Sequence, residues 1–197
     1  MTDIEKILYD KVKSVMSGWH EDGIYAISFF ICSNEAYEFR GFTNVSTWAI
    51  SYNTDGDCAG AGPLDEKRWN YAFWRQNETG IIDVDRPDEC TDALYTWYAE
   101  QGMENIGFED VSTAYDDEYR YIGKGPIGHY ELLGIAANVA RKLQEEGFVR
   151  SHFKRPIPII IHGLEYAWYD IEATRKANPN GEADTYMEAL KSIGALQ

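Results

Sequence analysis

The chain has 197 residues, 44% of them hydrophobic and 14% aromatic, which suffices for one sizeable core and excludes a disordered segment. Its formal net charge of −15 sits on residues 1–120, where 24 acids face 9 bases, while residues 121–197 carry nine of each. Such a field repels phosphate backbones and anionic lipid, so no nucleic-acid or membrane-surface role is expected, and basic partners are favoured.

Taken in order, Thr2 and Glu5 have the spacing of a capping box, and Ile4, Leu8, Val12, Val15 and Trp19 follow at helical intervals. Ile24–Cys32 is an unbroken apolar run, rich in β-branched and aromatic residues, and predicts a buried central strand. Tyr37–Phe42 is expected as its neighbour, and Asn44 as the cap of a short helix through Trp48. Residues 53–64 are glycine-rich and loop-like; Lys67–Trp74 fits either a strand or the start of a helix.

Pro87 suits the first turn of a helix carrying Leu94, Trp97 and Tyr98 and stopping at Gly102. The acidic stretch through Glu118 carries no periodic signal. Pro126 is expected in the first turn of a longer helix with a stripe of Tyr130, Leu133, Ala137, Ala140 and Leu143, ending at Gly147. Pro156–Ile161 predicts a strand whose prolines confine it to an edge or a strand start. Two helices, near 164–176 and 182–193, flank the Asn178-Pro179-Asn180-Gly181 turn. This order implies a single α+β domain over 1–197, a central sheet with flanking helices.

Several segments admit a chemical reading beside a plainer one. Gly123-x-Gly125-x-x-Gly128 opens a helix as a phosphate loop does, but the preceding segment is polar and Pro126 removes a donor; a glycine-rich turn is the better reading. Asn53, Asp55 and Asp57 alternate like calcium ligands, yet Cys58 and Leu64 occupy the positions needing Gly and Glu. His162 with Glu165, and His129 with Glu131, are possible acid–base pairs, although no Ser or Cys sits in a nucleophile's setting. Cys32, Cys58 and Cys90 are widely spaced and suggest neither a disulfide framework nor a zinc site. No cofactor, metal or catalytic residue is therefore expected. With no signal segment and no long apolar stretch, the reading is a cytoplasmic protein with reduced thiols.

The helix leading into His20-Glu21-Asp22-Gly23-Ile24-Tyr25-Ala26-Ile27, the stretch Asn44-Val45-Ser46-Thr47, the segment Arg68-Trp69-Asn70 through Trp74, and the late Asn178-Pro179 resemble the bacterial domain-of-unknown-function (DUF) family 4303 across nearly the whole chain. That resemblance implies no activity and no catalytic residues. By analogy of class, small acidic bacterial proteins of this kind serve as immunity proteins of toxin systems.

Two functional expectations follow. One is an acidic module that binds a basic protein, as an immunity protein binds a toxin, through Asp116, Asp117, Glu118 and an aromatic patch containing Trp69 and Trp74. The other is a small-ligand binder or enzyme with a pocket near Gly123–Gly128 and His162.

Overall fold

A computed structural model describes residues 1–196. The apolar run at Ile24 forms β1 (Ile24–Ser33), the spine of the molecule. It pairs antiparallel with β4 (Ser46–Thr54) and parallel with β6 (Ile159–His162), and β5 (Thr79–Ile82) extends the sheet beyond β4. The order is β5-β4-β1-β6, a mixed four-stranded sheet in an α+β domain.

Because β1 is covered on both sides, it has no polar face, and its alternate residues serve two cores. Ile27, Phe29 and Ile31 join a main core with Trp48, Ile50, Ile159 and Ile161. Over it lie α1 (Asp3–Ser17), α3 (Glu89–Glu100) and α4 (His129–Glu145). Tyr25, Ala26 and Ile160 join a smaller core on the opposite face, with Trp69, Trp74, Ile171, Tyr186 and Leu190. That face is covered by α2 (Glu66–Trp69), a 3-10 turn at Tyr71–Phe73, and α7 (Asp184–Ser192).

Helix α1 begins as its sequence indicates. The Thr2 side chain accepts from the Glu5 N–H, and Glu5 accepts from the Thr2 N–H at 2.7 Å, completing the capping box. Four local expectations give way to tertiary context. Asn44 does not cap a helix: it stands at φ 54°, turning the chain through the buried Val45 into β4, whose Trp48 and Ile50 are fully buried. Tyr37–Phe42 is not the neighbour of β1 but a small separate hairpin of β2 (Glu38–Phe39) and β3 (Phe42–Thr43). Pro126 precedes α4, which starts at His129 with Gly128 as its N-cap, and Pro87 precedes α3, which is capped by the Asp88 carboxylate. The segment Lys67–Trp74 resolves into the short α2 and the 3-10 turn.

The outer edge of β6 is closed by side chains. From α6 (Trp168–Ala177) the Thr174 hydroxyl accepts from Ile161 N–H at 2.9 Å and donates to Ile161 O at 2.8 Å. Just past that helix, Asn178 does the same for Ile159, at 3.0 and 2.7 Å, and also donates to Thr174 O. Two residues four apart thus stand in for a fifth strand, satisfying backbone groups that an open edge would offer to another chain. The Asn178 side chain is buried, so Asn178→Ala leaves the Ile159 amide and carbonyl without partners. We expect it to cost about 2 kcal/mol, read as a lowered urea midpoint with an unchanged slope.

Candidate functional site

The parallel strands β1 and β6 end side by side at Ser33 and His162, and beyond their carboxyl ends the chain leaves a cleft of about 590 Å³. Ligands of open α/β sheets gather at such ends. Three segments wall it: Ile31–Ser33, the loop from Glu109 through His129, and the turn Gly163–Ala167 running into the first turn of α6.

The glycines of Gly123-x-Gly125-x-x-Gly128 do help to form this cleft, though not as a phosphate cradle. Gly123 N–H donates to Ala114 O, Gly125 N–H to the Tyr121 hydroxyl at 2.7 Å, and His129 N–H to Pro126 O. No ring of free amides is left for an anion. Gly125, at φ 74°, is glycine because a Cβ there would lie 2.8 Å from the His129 ring. Its packing lets the loop fold down on His129 and Tyr121.

Aromatic rings dominate the walls. Tyr121 stacks edge-on with Tyr115 at 5.4 Å and with Tyr169 at 6.3 Å, and its hydroxyl donates to the Glu109 carboxylate. Trp168 ties the turn to the loop by donating from Nε1 to Gly123 O at 3.0 Å. The charged lining is entirely acidic: Glu109, Glu165 and Asp170, with no lysine or arginine. Asp170 is the least exposed of the three, at 3%. Its Oδ2 accepts the Gly163 N–H at 3.2 Å, whereas Oδ1 has no hydrogen-bond partner. Burial raises its carboxyl to about 7, against the pull of the nearby Gly163 and Ala167 amides.

The two buried histidines take different places. His129 lines the cleft with Nδ1 2.9 Å from the Ser46 hydroxyl, and burial lowers it to about 4. It is neutral at pH 7. His162 lies behind the cleft and not in its lining. Its Nδ1 must carry the proton donated to Gly163 O at 2.9 Å, so Nε2 accepts from the Ser28 hydroxyl at 2.7 Å. Packed against Tyr71 and Phe30, it too is held near 4 by burial, opposed by the Gly163 hydrogen bond. Neither histidine meets the glutamate that its sequence neighbourhood offers.

Other sequence candidates are absorbed by structure. Asn53 donates to the Tyr25 hydroxyl, Asp55 pairs with Arg68 and Arg155, and Asp57 pairs with Arg75, so the three do not converge on a cation. Trp69 and Trp74 are 7% and 5% exposed, and their indole N–H groups donate to Pro63 O and Arg68 O. They are core residues and not a contact patch; swinging either out would forfeit on the order of 2–3 kcal/mol of burial. Asp116, Asp117 and Glu118 form a turn beside the cleft mouth. Arg120 pairs with Asp116 at 2.7 Å and with Glu118 at 2.6 Å, which leaves Asp117 as the exposed acid without an ion pair among the described residues. Among the described residues, no helix is long and apolar enough to cross a membrane.

No protein-family model, curated protein or solved structure matches this chain. Its function must be argued from the site.

Proposed function

We propose that this chain is an acidic protein-binding module that docks a basic partner over the cleft, and that it acts in the cytoplasm as an immunity-type protein occluding a basic toxin. The kinship with DUF family 4303 belongs to the same proposal. The observation that carries the reading is where apolar surface stays uncovered. Among the described residues, eight of the thirteen exposed large hydrophobic side chains fall within residues 108–127 and 164–168, and four of them, Tyr115, Tyr119, Leu164 and Trp168, line the all-acidic cleft. Exposed apolar residues scattered singly carry no meaning, but a rim gathered around one depression is the pattern of a contact face. Tyr119, 89% exposed at φ 58°, stands at the loop tip, and Leu164 is 83% exposed opposite.

A pull-down with the tagged protein at low and at physiological salt tests the reading. One stoichiometric basic partner should be captured, and less of it as salt shortens the reach of the acidic field. Leu164→Asp should weaken capture by about tenfold, an apolar contact being replaced by a desolvated charge. Asp117→Lys should slow association only at low salt. Asp116 is unsuited to this test because its carboxylate holds the turn through the Glu118 and Arg120 amides. Equal capture by wild type and Leu164→Asp would sink the proposal.

A second reading rests on size. A cleft of about 590 Å³ falls in the range of small-molecule sites, so a small-ligand binder or an enzyme fits the same place. Capture of no protein at either salt would favour it.

A further inference from the structure

Two asparagines share the Asn178-Pro179-Asn180-Gly181 turn between α6 and α7, and the chain treats them in opposite ways. Asn178 is buried. Its Oδ1 accepts from Ile159 N–H and Gln144 Nε2, its Nδ2 donates to Ile159 O and Thr174 O, and Pro179 after it has no N–H. Asn180 is exposed, and the residue after it is glycine, the one Asn-Gly pair in the sequence. Gly181 is exposed too, stands at φ 82°, and has no side chain to shield its amide. That amide is loosely held: it reaches Asn178 O at 3.4 Å, longer than a normal N–H···O bond. An amide carbon on a side chain thus precedes an accessible, unhindered backbone nitrogen, and these are the two partners of an intramolecular acyl transfer.

We propose that Asn180 is a self-modification site, at which the folded chain converts its own side-chain amide to a carboxylate through a cyclic imide. The Gly181 nitrogen, having given its proton to hydroxide, attacks Asn180 Cγ and forms the new C–N bond. The Cγ–Nδ2 bond breaks, and the departing nitrogen takes a proton from water and leaves as ammonia. Water then adds to either carbonyl of the five-membered ring. One opening gives an aspartate at 180; the other gives an isoaspartate, with the backbone routed through the side-chain carbon. Water is the only co-reactant, and nothing is oxidised or reduced.

The product does not suit the turn that makes it. The Glu182 carboxylate accepts from Asn180 N–H and from Asn180 Nδ2, both at 3.0 Å. Conversion replaces the second donor with an acceptor, so two carboxylates meet where a hydrogen bond was. Asp184 stands close by, since a Cβ on Gly181 would lie 2.7 Å from its Oδ2. The turn then gives way where it enters α7, whose first amide, that of Asp184, donates to Gly181 O at 3.1 Å. The chain carries a slow, one-way clock that ends in a more acidic and looser turn.

The experiment is a timed incubation of the wild-type protein at pH 7 and at pH 8, beside the same chain unfolded in guanidinium chloride. Samples are digested under mildly acidic conditions, and tandem mass spectrometry locates every acid-for-amide mass change. We expect the change at Asn180 and not at Asn178, in two chromatographic forms, aspartyl and isoaspartyl. Its rate should be about tenfold higher at pH 8 than at pH 7, because the attacking nitrogen must first lose its proton. The folded chain should convert within about tenfold of the unfolded rate, a factor worth about 1.4 kcal/mol on the barrier. Asn180→Gln, which keeps the amide but needs a larger ring, should stay unmodified. Conversion slowed by folding more than that factor, or persisting in this peptide of Asn180→Gln, overturns the proposal. Asn180→Asp carries the aspartyl product from the start, and hydrogen exchange at its Asp184 amide should be about tenfold faster than in wild type. Equal exchange would overturn the loosening of the turn and leave the modification site standing, since the mass measurement does not depend on it.

Discussion

Gly107→Ala is expected to cost about 4 kcal/mol, at the severe end for a single methyl group. Gly107 stands at φ 85°, and a Cβ built there would lie 1.9 Å from the Thr43 carbonyl oxygen, a backbone atom that cannot rotate away. The same residue links two parts of the site. Its carbonyl accepts from Asn44 Nδ2 at 3.1 Å, and its N–H donates to Ile127 O at 2.9 Å, so it ties the corner before β4 to the loop before α4. The substitution must displace one of them, and either displacement reshapes the cleft. Gly134→Ala is the matched control. There, in the middle of α4, an added Cβ meets nothing within 4 Å. It should add up to about 1 kcal/mol through helix propensity. Urea unfolding of the two variants reads both signs; a mild effect at Gly107 would show that the corner yields more easily than its geometry implies.

The second large effect concerns pH. His129 and His162, each less than a tenth exposed, are held near 4. The unfolded chain binds protons at these residues from about pH 6.5 downward, while the folded chain refuses them until about 4. Their stabilising contribution is therefore present above pH 6.5 and lost as pH falls toward 4, by about 3 kcal/mol each on the linkage relation. Asp170 works in the opposite sense. Its carboxyl is raised to about 7, so the folded chain holds a proton that the unfolded chain releases from about 3.9 upward. Its contribution is full at acid pH and declines by about 4 kcal/mol as pH climbs to 7. Below pH 6.5 two histidines outweigh one aspartate, and between 6.5 and 7 the aspartate acts alone, so stability should peak near pH 6.5. Asp170→Asn should stabilise the protein at pH 8, by up to about 4 kcal/mol, with the gain shrinking as pH falls to 4. Denaturant midpoints of both proteins from pH 4.5 to 8 test this, and parallel curves would refute the assignment to Asp170.

What the sequence discloses depends on whether a signal is local. The capping box at Thr2 and Glu5 is a contact across three residues, and the apolar run of β1 needs only burial on both faces; both are readable in advance. Strand β4 hides because Asn44 has the chemistry of a helix cap, and its actual role, a residue at positive φ, is equally characteristic of asparagine. Strand β5 is four residues long, with only Ile81 and Ile82 buried, too short for a period to show. For the site, the Gly123–Gly128 turn is visible as a special helix start, and it does line the cleft. Asp170 is not visible at all. An acid in the first turn of a helix is ordinary, and only the tight turn from β6 into α6 folds this one back onto Gly163, where it is buried. Trp69 and Trp74 show the converse problem, since aromatic residues beside arginines describe a core edge as well as a contact patch.

The parallel pairing of β1 with β6 also bears on how the chain is made. Ile27 lies against Ile159, so one side of the central strand has its partner 132 positions later. At ribosomal rates of ~5–20 residues per second, roughly 7 to 26 s separate the synthesis of these two segments. During that interval β1 and β4 can form a hairpin, but the other hydrogen-bonding edge of β1 has nothing to pair with. The nascent chain therefore carries its stickiest strand half-dressed through most of its own synthesis. Resistance to premature self-association must come from what emerges alongside it, the heavily acidic residues of the first 120 positions.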